Sequence, residues 1–488
     1  MRWRVWFFVG IMAAATARAQ DCVPCKADLL LRGVPASAEA ALVVVGASRQ
    51  RQSEAGDALL KLIEDSGQAT ETIRAWGELA RELGWTPAEA FDELLGRRVM
   101  LVTRTDLQGR DWAVVSDVSP AAEARLRERL RPSPRRTLGG LIVLSLEGRL
   151  ELVVSRGESC RVLLAPAEHG GLFEDLAAGL NAPSPPAAVG ECDAAVIYRR
   201  GDKRAEAGVK FEGDGWQVGV VASAGMVWSG ARPEPWTGRI VSAFEPGSLA
   251  VAVWEMGVLP EVARWLGAPA LPWPLAGEGI GPRMALVVRG NEQRGMQAGA
   301  ERTPPSQENV SGGGANQIAV TLGVEGTVGA LQRESDRAVE RMVLSLSRGE
   351  WVERAERIDL GLAGDETAVR GFKLGEDVEI CTTLTPDLSA RFGSEPVLSW
   401  CVRPMGRRGW WVGRLGPVGT VRDDAAVFAR MDGGEARPRL TMGVIRPAAL
   451  WAALGREGAV KHVRTLRWDA WVRDDGKIEG FVRVTMRP

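Results

Sequence analysis

The order of elements in the first half of this 488-residue chain returns in its second half, so the fold must accommodate a duplication. Ala41 to Gly46 is an apolar, β-branched run that reads as a buried strand, followed by an amphipathic helix around Glu54 to Glu64. Leu249 to Trp254 followed by Leu259 to Leu266 has the same strand-then-helix form, and Leu440 to Val444 followed by Pro447 to Leu454 repeats it. Leu141 to Leu146, Leu150 to Ser155 and Arg161 to Ala165 read as a meander, closed by a helix over Leu172 to Leu180. Val397 to Arg403, Trp410 to Leu415 and a helical Asp423 to Met431 follow the same order. The hairpin around Gly213-Asp214-Gly215 is echoed by Leu466 to Val472 and Ile478 to Met486 around Asp474-Asp475-Gly476. Leu466, Trp468, Ala470 and Val472 share one face of that last hairpin.

Other elements carry their own signals. Thr86-Pro87-Ala88-Glu89 is a capping box with Pro at the first helical position. Val99 to Arg104 and Trp112 to Ser116 read as strands, and Pro120 to Leu130 as a helix. Thr327 to Ser347 carries Leu331, Ala338, Met342 and Leu346 on one helical stripe, stopped by Gly349. These readings predict an α+β fold of two related halves, each with mixed or antiparallel sheet, β-meanders and packed helices. The expected organisation is a leader over 1–19, a first half over 20–222, a linker over 223–247 and a second half over 248–488. Within the second half, 293–317 reads as a mobile loop, being polar and rich in Gly and Pro.

Met1 to Ala19 reads as a secretory signal: Arg2 and Arg4 precede an apolar run from Val5 to Ala15, and Ala17-Arg18-Ala19 is a small-x-small cleavage site. The residues before Cys22 lack a lipoprotein pattern, so the mature chain is expected to begin at Gln20. The expected location is periplasmic or extracellular, with no membrane span after cleavage. With 61 basic and 62 acidic residues, the net charge of -1 supplies no global field for nucleic acid. Trp reaches 18 and Tyr is the single Tyr198, a skew that reads as the codon bias of a GC-rich genome.

Three segments carry a resemblance: Val34-Pro35-Ala36-Ser37-Ala38-Glu39 leading into Ala41 to Gly46, Glu93-Leu94-Leu95-Gly96 before the Val99 strand, and Leu172 to Leu180 after the meander. On them the chain resembles uncharacterised exported bacterial proteins of a domain-of-unknown-function family with repeated strand-helix-meander units. That resemblance implies no activity.

Six cysteines in an exported chain form an even set compatible with disulfides. Spacing suggests Cys160 with Cys192 and Cys381 with Cys401, leaving Cys22 with Cys25. The Cys22-Val23-Pro24-Cys25 motif has the form of a redox site, but no strand precedes it and no His follows it, so it reads as a structural clip. The two histidines, His169 and His462, each lack a second ligand at metal spacing, and no nucleophile elbow, Walker loop, EF-hand or dinucleotide fingerprint is present. No metal or cofactor is therefore expected. Glu168-His169-Gly170-Gly171 reads as a helix-entry turn, Gly277 to Gly281 as a turn, and Asp423-Asp424 and Asp474-Asp475 as capping or turn residues.

One hairpin joins cations to aromatic surface. Arg407, Arg408, Trp410, Trp411 and Arg414 combine groups able to hold a sugar or an acidic group. The reading that follows is a non-enzymatic exported protein that binds a ligand or envelope partner. The alternative is a hydrolase or transferase using dispersed carboxylates in a cleft between the halves.

Overall fold

The computed structural model describes residues 31–51, 76–104, 111–130, 135–180, 192–223, 232–236, 248–255, 278–290, 318–337, 356–360, 369–373, 397–416, 436–453 and 459–486, apart from short gaps within these spans. The leader, Cys22, Cys25, Cys381, the loop 293–317 and the helices expected at Glu54, Leu259 and Asp423 lie outside them.

Among the described residues there are twenty strands: β1 (Ala40–Val45), β2 (Arg98–Arg104), β3 (Asp111–Asp117), β4 (Arg135–Leu138), β5 (Leu141–Leu146), β6 (Leu150–Arg156), β7 (Cys160–Pro166), β8 (Ala194–Arg200), β9 (Lys203–Glu212) and β10 (Gly215–Ala222). The second ten are β11 (Ser248–Glu255), β12 (Ile280–Gly290), β13 (Ile318–Thr327), β14 (Glu356–Leu360), β15 (Val369–Lys373), β16 (Val397–Met405), β17 (Arg408–Gly416), β18 (Arg439–Ile445), β19 (Val463–Val472) and β20 (Ile478–Met486). The chain divides into two compact units between Val227 and Trp228, with Asp475–Pro488 joining the first.

In the first unit the antiparallel order is β4-β5-β6-β7-β3-β2-β1-β8-β9-β10-β20. In the second it is β14-β15-β16-β17-β13-β12-β11-β18-β19. Adding ten to each of the first nine strand numbers of the first unit gives the second unit. The two ladders therefore share one topology, including the non-sequential pairings β3–β7 with β13–β17 and β1–β8 with β11–β18.

This finding corrects the α+β expectation. The helices with defined bounds among the described residues have ten residues or fewer, and every ladder is antiparallel. The sequence signals for helices Pro120–Arg129 and Leu172–Gly179 were real, but these helices only cover sheet faces. Strand alternation sets those faces. In the first unit Val43, Met100, Val153 and Leu163 meet Leu172, Phe173 and Leu176 of the second helix. Leu144, Leu152 and Val162 on the opposite face meet Leu126 and Leu130. The predicted capping box forms: Thr86 Oγ1 accepts from the Glu89 amide at 3.2 Å, and Glu89 accepts from the Thr86 amide at 2.8 Å.

The second unit buries Val251, Val253, Ala285, Val287, Val412 and Met442 on one face with Trp236 and Trp410. No helix of the described residues is long and apolar enough to cross a membrane.

Candidate functional site

The β16–β17 hairpin does not present its candidate residues as one surface. Arg407 and Arg408 are exposed at the turn, while Trp410 and Trp411 are 4% and 0% exposed. Alternation places Arg408, Trp410 and Arg414 on one face and Trp411 on the other. Trp411 lies over Gly413, where an added Cβ would meet its ring at 2.3 Å. Arg414 is itself buried. Both tryptophans thus serve sheet faces, and an exposed stacking surface made of the pair is not what the hairpin forms.

Cys160 is a half-buried thiol at the start of β7, Cys192 and Cys401 are buried, and Cys22, Cys25 and Cys381 lie outside the described residues. Among the described residues no three His, Cys, Asp or Glu side chains are grouped to hold a metal.

Trp410 instead belongs to a row of side chains that crosses four strands. Glu255 at the end of β11 pairs across the ladder with Arg283 on β12. Arg283 reaches Glu325 on β13, and Glu325 lies opposite Trp410 on β17. The approach of Arg283 depends on a bulge: Ile280 pairs with Gly326 and Met284 with Val324, so β12 spends four residues where β13 spends two. Gly281 within the bulge has φ +97°, a conformation a side chain resists. Arg283 then donates from Nε and Nη2 to the two Glu325 oxygens at 2.6 Å each, a fork-to-fork ion pair.

Aromatic rings flank this pair. The Arg283 guanidinium lies 5.2 Å from the Trp236 ring centroid and 5.7 Å from that of Trp410. Trp236 is fixed by a backbone bridge to Arg437 and by its indole N–H, which donates to the Arg439 carbonyl at 3.1 Å. Arg439 returns a bond from Nη1 to the Trp236 carbonyl at 2.6 Å, and its Nε contacts Asp469 at 3.2 Å. Burial raises the Asp469 carboxyl, with Arg439, Arg437 and Arg467 acting against that rise. Towards solvent, Arg408 bridges Glu325 at 3.6 Å and the exposed Glu234 at 3.7 Å. Arg437, which bridges Trp236 through the backbone, stacks 4.7 Å from the Trp471 ring.

Glu255 is the odd member of the row. Its Oε2 is shut from solvent and has no hydrogen-bond partner. Burial pushes this carboxyl up to about 7, with Arg283 pulling it down and Glu325 and Glu234 pushing it further up. The row therefore holds two carboxylates against one forked guanidinium. Arg408 and Trp410 were within reach of sequence reasoning; Glu255, Arg283, Glu325, Trp236, Arg439 and Asp469 were not. The signal that could have found two of them is a charge inside an otherwise apolar strand, as in Ile318–Thr327 around Glu325 and Ile280–Gly290 around Arg283.

The first unit carries a row at the matching ladder position: Val45, Arg98, Asp117 and Arg161 on β1, β2, β3 and β7. Arg161 meets Asp117 at 3.3 Å and donates to the Leu180 carbonyl at the end of helix Leu172–Gly179. Burial lowers the Arg98 guanidinium, Asp117 opposing that shift and Arg161 adding to it.

Together these features define a duplicated antiparallel β protein with a charged row at one end of a buried face in each unit. No family model matches the chain, and no curated protein matches it. Among solved structures, crystal form III of TP0453 aligns with a TM-score of 0.27 at 10% identity, covering 52% of this chain and 90% of that one. Crystal form I of TP0453 gives 0.22 at 8% identity, covering 82% and 96%. At such scores the likeness carries no argument about fold or function.

Proposed function

We propose that this chain is an exported, non-enzymatic binding protein of the bacterial envelope, and that it recognises an anionic envelope component through the arginine and tryptophan rim of the second unit. The observation that supports this reading is the layered cluster itself. Arg408 and the stacked Arg437–Trp471 pair form the rim, and the buried Arg283–Glu325 and Arg439–Asp469 pairs hold Trp236 and Trp410 beneath it. Arg and Trp are enriched in binding hot spots, and here Trp236 and Trp410 are fixed in advance by the buried ion pairs. The inner arginines are committed to internal carboxylates, while Arg408 is exposed and Arg437 part-exposed, where an acidic ligand can meet them. Export by way of Met1 to Ala19 would bring this rim to the envelope.

The test uses the mature chain on an immobilised acidic polysaccharide, with a neutral dextran as control. Wild-type protein is expected to be retained on the acidic matrix alone, in a salt-dependent manner. Replacing the rim, R408A with R437A, is expected to weaken retention by about tenfold, the scale of one charge-assisted contact. Equal retention on both matrices, or retention untouched by the double substitution, would overturn the reading.

A further inference from the structure

The feature that the binding proposal leaves unused is the second carboxylate beside Arg283, the half-buried Glu255 with its enclosed Oε2. The geometry points to a proton-operated switch, in which one proton at Glu255 decides whether Arg283 stays forked on Glu325 against Trp236 and Trp410 or is shared with Glu255. The inference does not depend on what the rim binds.

Three observations carry it. Glu255 at the end of β11 and Arg283 near the start of β12 are cross-strand partners whose charges act on each other, so the guanidinium stands between two carboxylates. Arg283 donates twice to Glu325, and Glu255 Oε2 is buried with no hydrogen-bond partner. Arg283 is also the cation lying against both tryptophans, so any change in its partner alters the surroundings of two indole rings.

The charged groups around Glu255 set the direction. Arg283 faces it from β12, Glu325 from β13, and Glu234 from the segment before Trp236. Arg408 on β17 contacts Glu325 and Glu234, while Arg439 on β18 is held by Asp469 and the Trp236 carbonyl. With Glu255 protonated, a single buried carboxylate meets Arg283 and the fork on Glu325 is undisturbed. When the Glu255 O–H bond breaks and its proton passes to water, a second buried anion appears and competes for the same guanidinium. Its place on the scale, near 7, puts the exchange at neutral pH.

The experiment follows tryptophan fluorescence of the folded chain across neutrality, with far-UV circular dichroism to show that the fold persists. The background is H169Q with H462Q, which removes the chain's two histidines, the side-chain type whose ordinary range would overlap the transition. A one-proton transition centred near 7 is expected. E255Q, a neutral mimic of the protonated acid, is expected to abolish it, and E255D to move its midpoint. W236F with W410F is expected to remove most of its amplitude. The switch is overturned if no transition occurs, if it survives E255Q, or if its amplitude is indifferent to both tryptophans.

Discussion

The two units place an ionic row at the same point of the same ladder and fill it with opposite imbalances. The first unit sets Val45, Arg98, Asp117 and Arg161 side by side, two cations against one carboxylate. The second sets Glu255, Arg283, Glu325 and Trp410, two carboxylates against one cation. The shared element is an arginine on the second strand facing an acid on the third. The outer positions differ, and they decide which group is under electrostatic stress. In the first unit burial and a neighbouring arginine lower Arg98, which stays a cation at neutral pH because a guanidinium ordinarily titrates far above neutrality. In the second unit burial and neighbouring acids raise Glu255 to about 7, where it titrates. The same strand topology thus supports a fixed charge in one copy and a titrating one in the other.

Breaking the shared pair should have the largest effect. Glu325 is 4% exposed and Arg283 15%, so E325A leaves a buried guanidinium without its forked partner. Loss of one member of such a pair destabilises by about 3–5 kcal/mol. D117A in the first unit removes the one acid of its row and is expected to cost at least as much, because Glu255 can ionise and take over Arg283 whereas Val45 cannot. Urea unfolding followed by circular dichroism measures both. If E325A proves the costlier change, Glu255 does not substitute for the missing carboxylate.

Exchanging the outer positions sharpens the comparison with a smaller expected effect. Glu255 has a folded value above its ordinary 4.5, so the native state binds more protons than the unfolded chain between 4.5 and about 7. Its contribution to stability is full below 4.5, falls as pH rises through that window, and is level above it. E255V, which installs the residue that the first unit carries there, should erase this contribution to the pH slope. V45E places a carboxyl beside Arg98 in a row already rich in arginine, and should titrate at lower pH than Glu255 without creating the same slope. Denaturant midpoints across the window, compared with those of the unaltered chain, decide the matter. A V45E protein that loses stability towards neutrality as the Glu255 chain does would show that burial alone, without the row's charge balance, sets the behaviour.

How much of this was legible in the sequence depended on the range of the interaction that fixes it. Leu141–Leu146 and Ile478–Met486 match the strands read from alternation, and the Thr86 capping box was read from four consecutive residues. Pro447–Ala453 and Leu172–Gly179 likewise lie where local periodicity put them. The α+β reading nevertheless failed, because helix and strand signals give no measure of how many strands join one ladder. Pairings such as β3 with β7 and β1 with β8 arise from partners far apart along the chain. The site failed for a related reason. Gly277 to Gly281 reads as a turn and Gln293 to Gln317 as a loop, and these signals flank β12 and β13, the strands that carry Arg283 and Glu325, without marking either residue. Trp410 and Arg408 were noticed because they are neighbours in sequence, yet their partners lie on other strands. A bulge of two extra residues on β12 brings Arg283 to Glu325, and no local pattern announces it.

The smallest expected effect is at the rim. Arg408 is 49% exposed and its contacts with Glu325 and Glu234, at 3.6 and 3.7 Å, lie at the outer edge of ion pairing. Exposed pairs of this kind are screened by water and salt and cost side-chain entropy to hold, so R408A should change unfolding stability by about 0.5 kcal/mol or less. Its effect on Glu255 should exceed its effect on stability. Removing a cation from Glu325 and Glu234 strengthens the negative surroundings of Glu255 and should move that carboxyl's titration further up. Measuring the fluorescence midpoint in R408A therefore separates two roles for the rim. A midpoint that rises while stability holds places Arg408 within the charge balance that distinguishes the second unit from the first. An unchanged midpoint confines that balance to Glu255, Arg283 and Glu325.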